Sequence, residues 1–266
     1  MPELPEVETI RRQLEPRLVG RRITEAAGHP SEKFLPARDV TGAKVDAVGR
    51  RGKYLIVALS DGREMVVHLG MTGRLQFAAA EVPSDGYVRA WWGLDDGAAL
   101  ELHDVRRFGR VRVVPAGCYD TIPTLAQLGP EPLGEGFSTE GLWSALRRST
   151  RRVKTQLLSQ RPVAGLGNIY ADEALWRSGI NPAKRRITRA EAAALHAAIG
   201  DVLAQAIAHR GTTFRDYRTL AGSGGDNYAH LDCYGRRGEP CRRCGAELRS
   251  RVLDARNTTY CPACQR

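Results

Sequence analysis

The sequence predicts an α+β fold, and three observations predict it. Residues 21–115 consist of short β-branched runs cut by turn residues, residues 139–209 carry helical periodicity, and four paired cysteines close the chain. With 266 residues there is room for one large or two medium domains and a small appendage. The expected segments are 1–130, 138–222 and 230–266.

The chain opens Met1-Pro2-Glu3-Leu4-Pro5-Glu6-Val7-Glu8. Prolines and acids suit the first turn of a helix, where a missing N–H costs nothing and the dipole favours negative charge. Val7, Ile10 and Leu14 share one face, so a helix is expected over residues 6–15, ended or kinked by Pro16, with Gly20 following as a stop. The same residues permit chemistry. With Met1 removed, Pro2 becomes a secondary amine, and an α-amino group with a pKa of about 7.7–8.0 is partly unprotonated near neutral pH. Such an amine can attack a sugar C1′ and form an iminium intermediate. On these residues alone, helix start and nucleophile are both open.

From Arg21 to Pro115, runs such as Tyr54-Leu-Ile-Val-Ala-Leu59 and Met65-Val-Val-His68 alternate with Ser60-Asp-Gly62, Gly70, Gly73 and Asp95-Asp-Gly97. Regular short strands with such punctuation suggest a sandwich or flattened barrel. Turn residues concentrate over 128–136, which is the expected boundary. Helices follow over Thr139–Leu146, over Asn168–Gly179 and, from the capping box Thr188-Arg-Ala-Glu191, to about His209. The turn region Gly179–Arg186 between the last two fits a helix-turn-helix-like DNA module. Gly211–Asp232 reads as a loop.

Cys241-Arg-Arg-Cys244 and Cys261-Pro-Ala-Cys264 are separated by sixteen residues. Two such pairs suit a closed tetrahedral site of four thiolates around one structural zinc ion (Zn2+), with redox dithiols or disulfides as the alternative. No secretory pattern is read at the start, and a reducing, cytoplasmic compartment is expected, where disulfides are disfavoured. Cys118 and Cys233 stand at no ligand spacing and read as ordinary small residues. A closed site does no chemistry; its metal holds folded a segment too short to build its own core. Between Tyr234 and Arg266 eight arginines face three acids, which makes the stapled hairpin a nucleic-acid grip.

The net charge of +10 and pI near 9.6 suit a polyanionic partner. A basic protein without such a partner can carry the same charge, so clustering decides. Arg147, Arg148, Arg151, Arg152, Lys154 and Arg161 lie in one stretch with no acid among them. No apolar run approaches the roughly eighteen residues that span a membrane, and no membrane partner is expected.

Several motifs in order identify a family: Pro2-Glu-Leu-Pro-Glu-Val-Glu8, Gly52-Lys-Tyr54, His68-Leu-Gly-Met-Thr-Gly73, Arg106-Arg-Phe-Gly109, Gly165-Leu-Gly-Asn-Ile-Tyr170, Tyr234-Gly-Arg236 and the four-cysteine finger. Over its whole length the chain resembles bacterial formamidopyrimidine-DNA glycosylases, which remove oxidised purines and then cut the strand. The resemblance implies a two-layer β-sandwich with an N-terminal helix, a helix–two-turn–helix domain and a zinc-finger β-hairpin. It also implies a monomer that holds double-stranded DNA with a damaged base in the cleft between its halves.

Residue by residue, the resemblance makes Pro2 the nucleophile, Glu3 the acid/base and Glu6 a structural acid. It gives Lys53 a grip on phosphate beside the lesion and Arg256 a grip on the flanking phosphates. Met71, Arg106 and Phe108, with Arg107 beside them, match the group that fills the gap left by a flipped nucleotide. Asn168 and Lys154 match backbone contacts. Read singly, Lys53 is a solvated strand-end lysine, Met71 and Phe108 are core residues, and the Gly-x-Gly-Asn turn at Asn168, whose backbone amides can hold a phosphate, is a common turn that by itself marks no site.

Three departures stand out. Val105 replaces the usual proline before Arg106-Arg-Phe108, Gly86-Tyr-Val-Arg89 replaces a His-containing segment, and Asp226-Asn-Tyr228 replaces a Gly-Tyr-Phe pattern in the lesion-reading loop, 218–232. The expected activity is excision of oxidised purines such as 8-oxoguanine and formamidopyrimidines, followed by β,δ-elimination. The alternatives are an endonuclease VIII-like enzyme for oxidised pyrimidines and a non-catalytic binder of damaged DNA. The Pro2-Glu-Leu-Pro start and the Met71/Arg106/Phe108 set favour the purine branch, and intact Pro2 and Glu3 favour catalysis.

Overall fold

The structure, a computed structural model, describes residues 1–79 and 85–266. Two compact units emerge: Met1–Ala126 with His209–Asp226, and Gln127–Ala208 with Asn227–Arg266.

In the first unit, helix α1 (Leu4–Leu18) is followed by β1 (Ile23–Gly28), β2 (Val45–Arg51), β3 (Tyr54–Leu59), β4 (Arg63–His68), β5 (Arg74–Ala79), β6 (Val88–Leu94), β7 (Ala98–His103) and β8 (Arg110–Pro115). Among the described residues these strands make two antiparallel four-stranded sheets, ordered β1-β6-β7-β5 and β2-β3-β4-β8. Leu55, Val57, Met65 and Val67 of one sheet share a buried cluster with Trp92, Leu100 and Leu102 of the other. Alternate positions supply that core because successive side chains of a strand point to opposite faces. Short helix α2 (Pro123–Ala126) ends this part.

Of the two outcomes expected at Pro16, an end or a kink, the end does not occur: helix α1 contains Pro16 and runs on to Leu18. Val7, Ile10, Leu14 and Leu18 are all buried in the same cluster. Burial of each stabilises by about 1.5–3 kcal/mol, which together exceeds the ~3 kcal/mol of an interior proline. The Val19 N–H then closes the helix on Glu15 O at 3.1 Å.

Residues 209–226 count with this unit, whereas the sequence placed residues up to 222 with the helical segment. Three contacts explain the difference. Thr212 N–H donates to Glu6 Oε1, Tyr217 lies in the buried cluster, and Leu220 N–H donates to Gln13 Oε1 at 2.9 Å.

The second unit contains α3 (Thr139–Arg147), α4 (Val153–Leu158), α5 (Asn168–Arg177) and α6 (Arg189–Ala208). Ser138 Oγ caps α3 by accepting from Gly141 N–H at 3.1 Å. The expected capping box opens α6: Glu191 N–H donates to Thr188 Oγ1 at 3.1 Å, and Thr188 N–H to Glu191 Oε2 at 2.8 Å. Helix α4 was not foreseen, since it is six residues long in an arginine-rich stretch. A hairpin of β9 (Arg249–Leu253) and β10 (Arg256–Tyr260) completes the unit. No described helix is long and apolar enough to cross a membrane.

Candidate active site and metal centre

At the start of α1 both oxygens of the buried Glu6 accept backbone N–H groups. Oε2 takes Glu3 N–H at 2.7 Å, the return half of a capping box, and Oε1 takes Thr212 N–H at 2.7 Å. Hydrogen bonds to a carboxylate contribute about 1.5–3 kcal/mol each. Pro2 and Glu3, both buried, are thereby fixed relative to residues 211–212.

Lys53 occupies the two-residue turn between β2 and β3 and is 3% exposed, not the solvated strand-end lysine it resembled in isolation. His68, at the end of β4, is half-buried. Burial, with the charges of Lys53 and Arg110, pushes its pKa down to about 3, so the ring is neutral. Its Nδ1 accepts Gly70 N–H at 3.1 Å and thereby shapes the turn that carries Met71.

Met71 (38% exposed) and Phe108 (41% exposed) are surface apolar residues rather than core. Their loops touch backbone to backbone: a Cβ on Gly70, at φ +65°, would lie 2.4 Å from the Phe108 carbonyl carbon. Buried Asp104 clamps the pair. Its Oδ1 accepts the Thr72 hydroxyl at 2.5 Å, its Oδ2 accepts Gly109 N–H at 2.7 Å, and Arg106 N–H reaches Thr72 Oγ1 at 3.3 Å. The Arg106 guanidinium lies 4.6 Å over the Phe108 ring. Arg107 takes a left-handed φ of +54°, and its carbonyl accepts Lys33 Nζ at 2.9 Å. Such an exposed apolar-and-cationic tip can enter a base stack.

Two of the departures fall here. Val105 is exposed, and Arg89 braces the loop by donating from Nε to Asp104 O at 2.9 Å. Asp104, Thr72 and His68 escaped the sequence reading as site residues. The available signal was Asp104 itself, an acid two residues before the Arg106-Arg-Phe108 motif.

In the second unit, Asn168 opens α5 and donates from Nδ2 to Asn257 O at 3.0 Å. Lys154 is placed differently from the surface contact expected of it. It is 1% exposed, with Nζ 2.7 Å from Asp172 Oδ1, 2.9 Å from Thr258 Oγ1 and 3.2 Å from Asn257 O. Asp172 Oδ2 also accepts Thr259 N–H at 2.9 Å. Lys154 and Asp172 are an internal strut between α4, α5 and β10. That strut carries Arg256, exposed at the tip of the hairpin. Glu173 fastens the chain entering the finger by accepting from Asp232, Cys233 and Tyr234 N–H at 2.7–2.9 Å.

The thiols of Cys241, Cys244, Cys261 and Cys264 all lie within 4.8 Å of one another. Tetrahedral zinc with bonds of about 2.3 Å places sulfurs about 3.8 Å apart, so the cluster fits. Trp176 Nε1–H and Cys264 N–H donate to Cys241 and Cys261 Sγ, each at 3.4 Å, stabilising thiolates. These four residues hold one structural zinc ion. Cys233 is no ligand; its Sγ donates to Thr259 O at 3.2 Å.

Residues 1–111 match the formamidopyrimidine-DNA glycosylase N-terminal domain, residues 128–218 the H2TH domain of the same enzymes, and residues 238–266 the zinc finger found in FPG and IleRS. The chain belongs to the formamidopyrimidine-DNA glycosylase family. It is 42% identical to the formamidopyrimidine-DNA glycosylase of Herpetosiphon aurantiacus over the full length of both. The crystal structure of MutM (Fpg) from Thermus thermophilus superposes with a TM-score of 0.92 at 41% identity, covering 99% of this chain and 98% of that one. A Lactococcus lactis Fpg variant bound to DNA containing Fapy-dG matches with a TM-score of 0.90 at 36% identity, covering all of both chains. Membership makes this formamidopyrimidine-DNA glycosylase relative a zinc-finger DNA-repair glycosylase.

Proposed function

We propose that the protein excises oxidised purines, 8-oxoguanine and formamidopyrimidines, from double-stranded DNA and then cuts the strand at the resulting site. The observation that carries this reading is the Pro2-Glu3 start, held through Glu3 N–H by one oxygen of Glu6 while the other oxygen holds Thr212. Complexes of relatives with DNA containing Fapy-dG and carbocyclic 8-oxo-G support a purine lesion.

After loss of Met1, the Pro2 nitrogen attacks C1′ of the damaged nucleotide. The bond from C1′ to the base breaks, and the base leaves with a proton. Glu3 shuttles protons as the sugar ring opens and the nitrogen lone pair closes the C1′ iminium. Loss of a C2′ proton expels the 3′ phosphate, and a second elimination expels the 5′ phosphate. Lys53 and Arg256 hold phosphates at and beside the lesion, with Asn168 as a further backbone contact. Met71 and Phe108 fill the vacated stack while Arg106 hydrogen-bonds the widowed base; Arg107 holds the loop's backbone conformation.

Borohydride tests the reading by reducing the iminium to a stable adduct. Mass spectrometry should place that adduct on the peptide beginning at Pro2. An adduct on Lys53, or none with an 8-oxoguanine duplex, rejects the mechanism. Retention of Met1 should abolish trapping.

A further inference from the structure

Away from the residues given roles above, the second unit has a solvent-open groove of about 400 Å³ lined by Arg151, Arg152, Thr155, Arg185 and Asp254. Three positive charges face one negative charge. The Arg151 guanidinium has no ion-pair partner among the described residues, and Arg185 donates from Nη1 to the Thr150 carbonyl at 3.0 Å. The groove already holds an anionic group, the chain's own Asp254. Its Oδ1 lies 2.9 Å from Arg152 Nη1, and its Oδ2 accepts the Thr155 hydroxyl. The Thr155 hydroxyl, with Arg152 and Arg151, holds this carboxyl below its ordinary range.

Asp254 and Ala255 form the two-residue turn between β9 and β10, both with positive φ, and Arg256 follows directly. A group reaching the groove therefore lies beside the finger arginine on the same turn. A guanidinium fork recognises carboxylate and phosphate by the same geometry, so a carboxylate seated there marks a place for a phosphate. An exposed pair such as Arg152–Asp254 is weakly held and can be exchanged.

We propose that this groove binds a backbone phosphate of the duplex flanking the damaged nucleotide, with Asp254 as the internal stand-in that the phosphate displaces. The inference rests on the DNA-repair reading above. The clustering of Arg151, Arg152 and Arg185 with no second acid favours a polyanion over a lone metabolite, since each neutralised phosphate of a duplex releases counterions.

The test uses full-length, zinc-loaded protein and an uncleavable abasic analogue centred in a short or a long duplex. Binding is titrated at several salt concentrations. Asp254→Asn keeps a residue suited to a left-handed turn but removes the charge. It should tighten binding to the long duplex by about 3-fold and steepen its salt slope by about one counterion. Thr155→Val loosens the stand-in without touching the turn and should act in the same direction, more weakly. Arg151→Ala and Arg185→Ala should each make the slope shallower on the long duplex and leave the short one unchanged.

Unchanged or weaker binding by Asp254→Asn overturns the proposal. So does an equal gain on both duplex lengths, which would be general electrostatics. Stabilisation by millimolar inorganic phosphate, lost in Arg151→Ala, would assign the groove to a free anion and also overturn it. Zinc content and thermal unfolding confirm that each variant folds. A wild-type protein with no preference for the abasic duplex and no borohydride adduct would instead defeat the glycosylase reading.

Discussion

Glu6 ties the N-terminus of α1 to Thr212, 206 residues away in sequence, through a 2.7 Å hydrogen bond from the Thr212 amide. The same carboxylate accepts Glu3 N–H, so the residue next to the Pro2 nitrogen and the residue at the start of segment 212–226 share one anchor. Gly211 permits the approach: its φ is +81°, and a Cβ there would lie 2.7 Å from Glu6 Oε1.

Glu6→Gln is expected to turn an amide NH2 toward one of these N–H donors. Leaving that donor unsatisfied costs about 1–3 kcal/mol. The first unit should unfold at lower temperature and the borohydride adduct should form more slowly. Gly211→Ala should show the same two effects from the opposite side. If adduct formation proceeds at the wild-type rate in both, the anchor does not position Pro2.

His68 supplies a pH dependence. Its folded pKa of about 3 lies below the ordinary 6.5, so on acidification the unfolded chain takes up the proton first. Stability from this residue is present above pH 6.5 and is lost as pH falls toward 3. By pH 5 the loss is about 2 kcal/mol. His68→Asn retains an acceptor for Gly70 N–H but does not titrate. Chemical unfolding of both proteins at pH 7 and pH 5 should show the smaller change in the variant; equal changes would place the neutral histidine elsewhere.

The parts of this molecule that follow local rules were legible in the sequence. The capping box at Thr188–Glu191, the strand punctuation of residues 21–115 and the cysteine spacing each depend on a few neighbouring residues, and each appears as expected. What depended on distant partners was not legible. Lys154 looks like any lysine in a basic stretch until Asp172 and Thr258 close around it. Pro16 looks like a helix stop until the burial of Leu18 is known. Met71 and Phe108 are apolar and read as core without the resemblance, because exposure of an apolar residue has no local signature.

Lys154 and Arg256 should separate as strut and grip. Removing Lys154 leaves Asp172 buried without its cation, which costs about 3–5 kcal/mol. Lys154→Ala should therefore lower the melting temperature of the second unit and weaken DNA binding only as a consequence. Arg256→Ala, at an exposed hairpin tip, should leave melting unchanged and make the salt slope of binding shallower by about one counterion. Normal melting in Lys154→Ala would refute the strut.

Zinc removal should act locally. Cys244→Ser is expected to release the metal, loosen β9 and β10 and take Arg256 out of place, while the first unit, which contains none of the ligands, keeps its own melting transition. Metal analysis and calorimetry on one preparation check both halves of that expectation. Unchanged zinc content in the variant would remove Cys244 from the ligand set.

Arg106 and Phe108 should differ in what they discriminate. The two side chains stack at 4.6 Å on one exposed tip, but only the guanidinium can read hydrogen-bonding groups on the widowed base. A good base contact provides about 1–3 kcal/mol of discrimination, so Arg106→Ala should relax the preference for cytosine opposite 8-oxoguanine by about 5- to 150-fold. Phe108→Ala removes an apolar wedge indifferent to the base and should weaken binding to all four pairings alike. Titrations of 8-oxoguanine duplexes paired with each base, at fixed salt, compare the two. Full opposite-base preference in Arg106→Ala, with its loss in Phe108→Ala, would show that the stacked ring and not the arginine reads the partner strand.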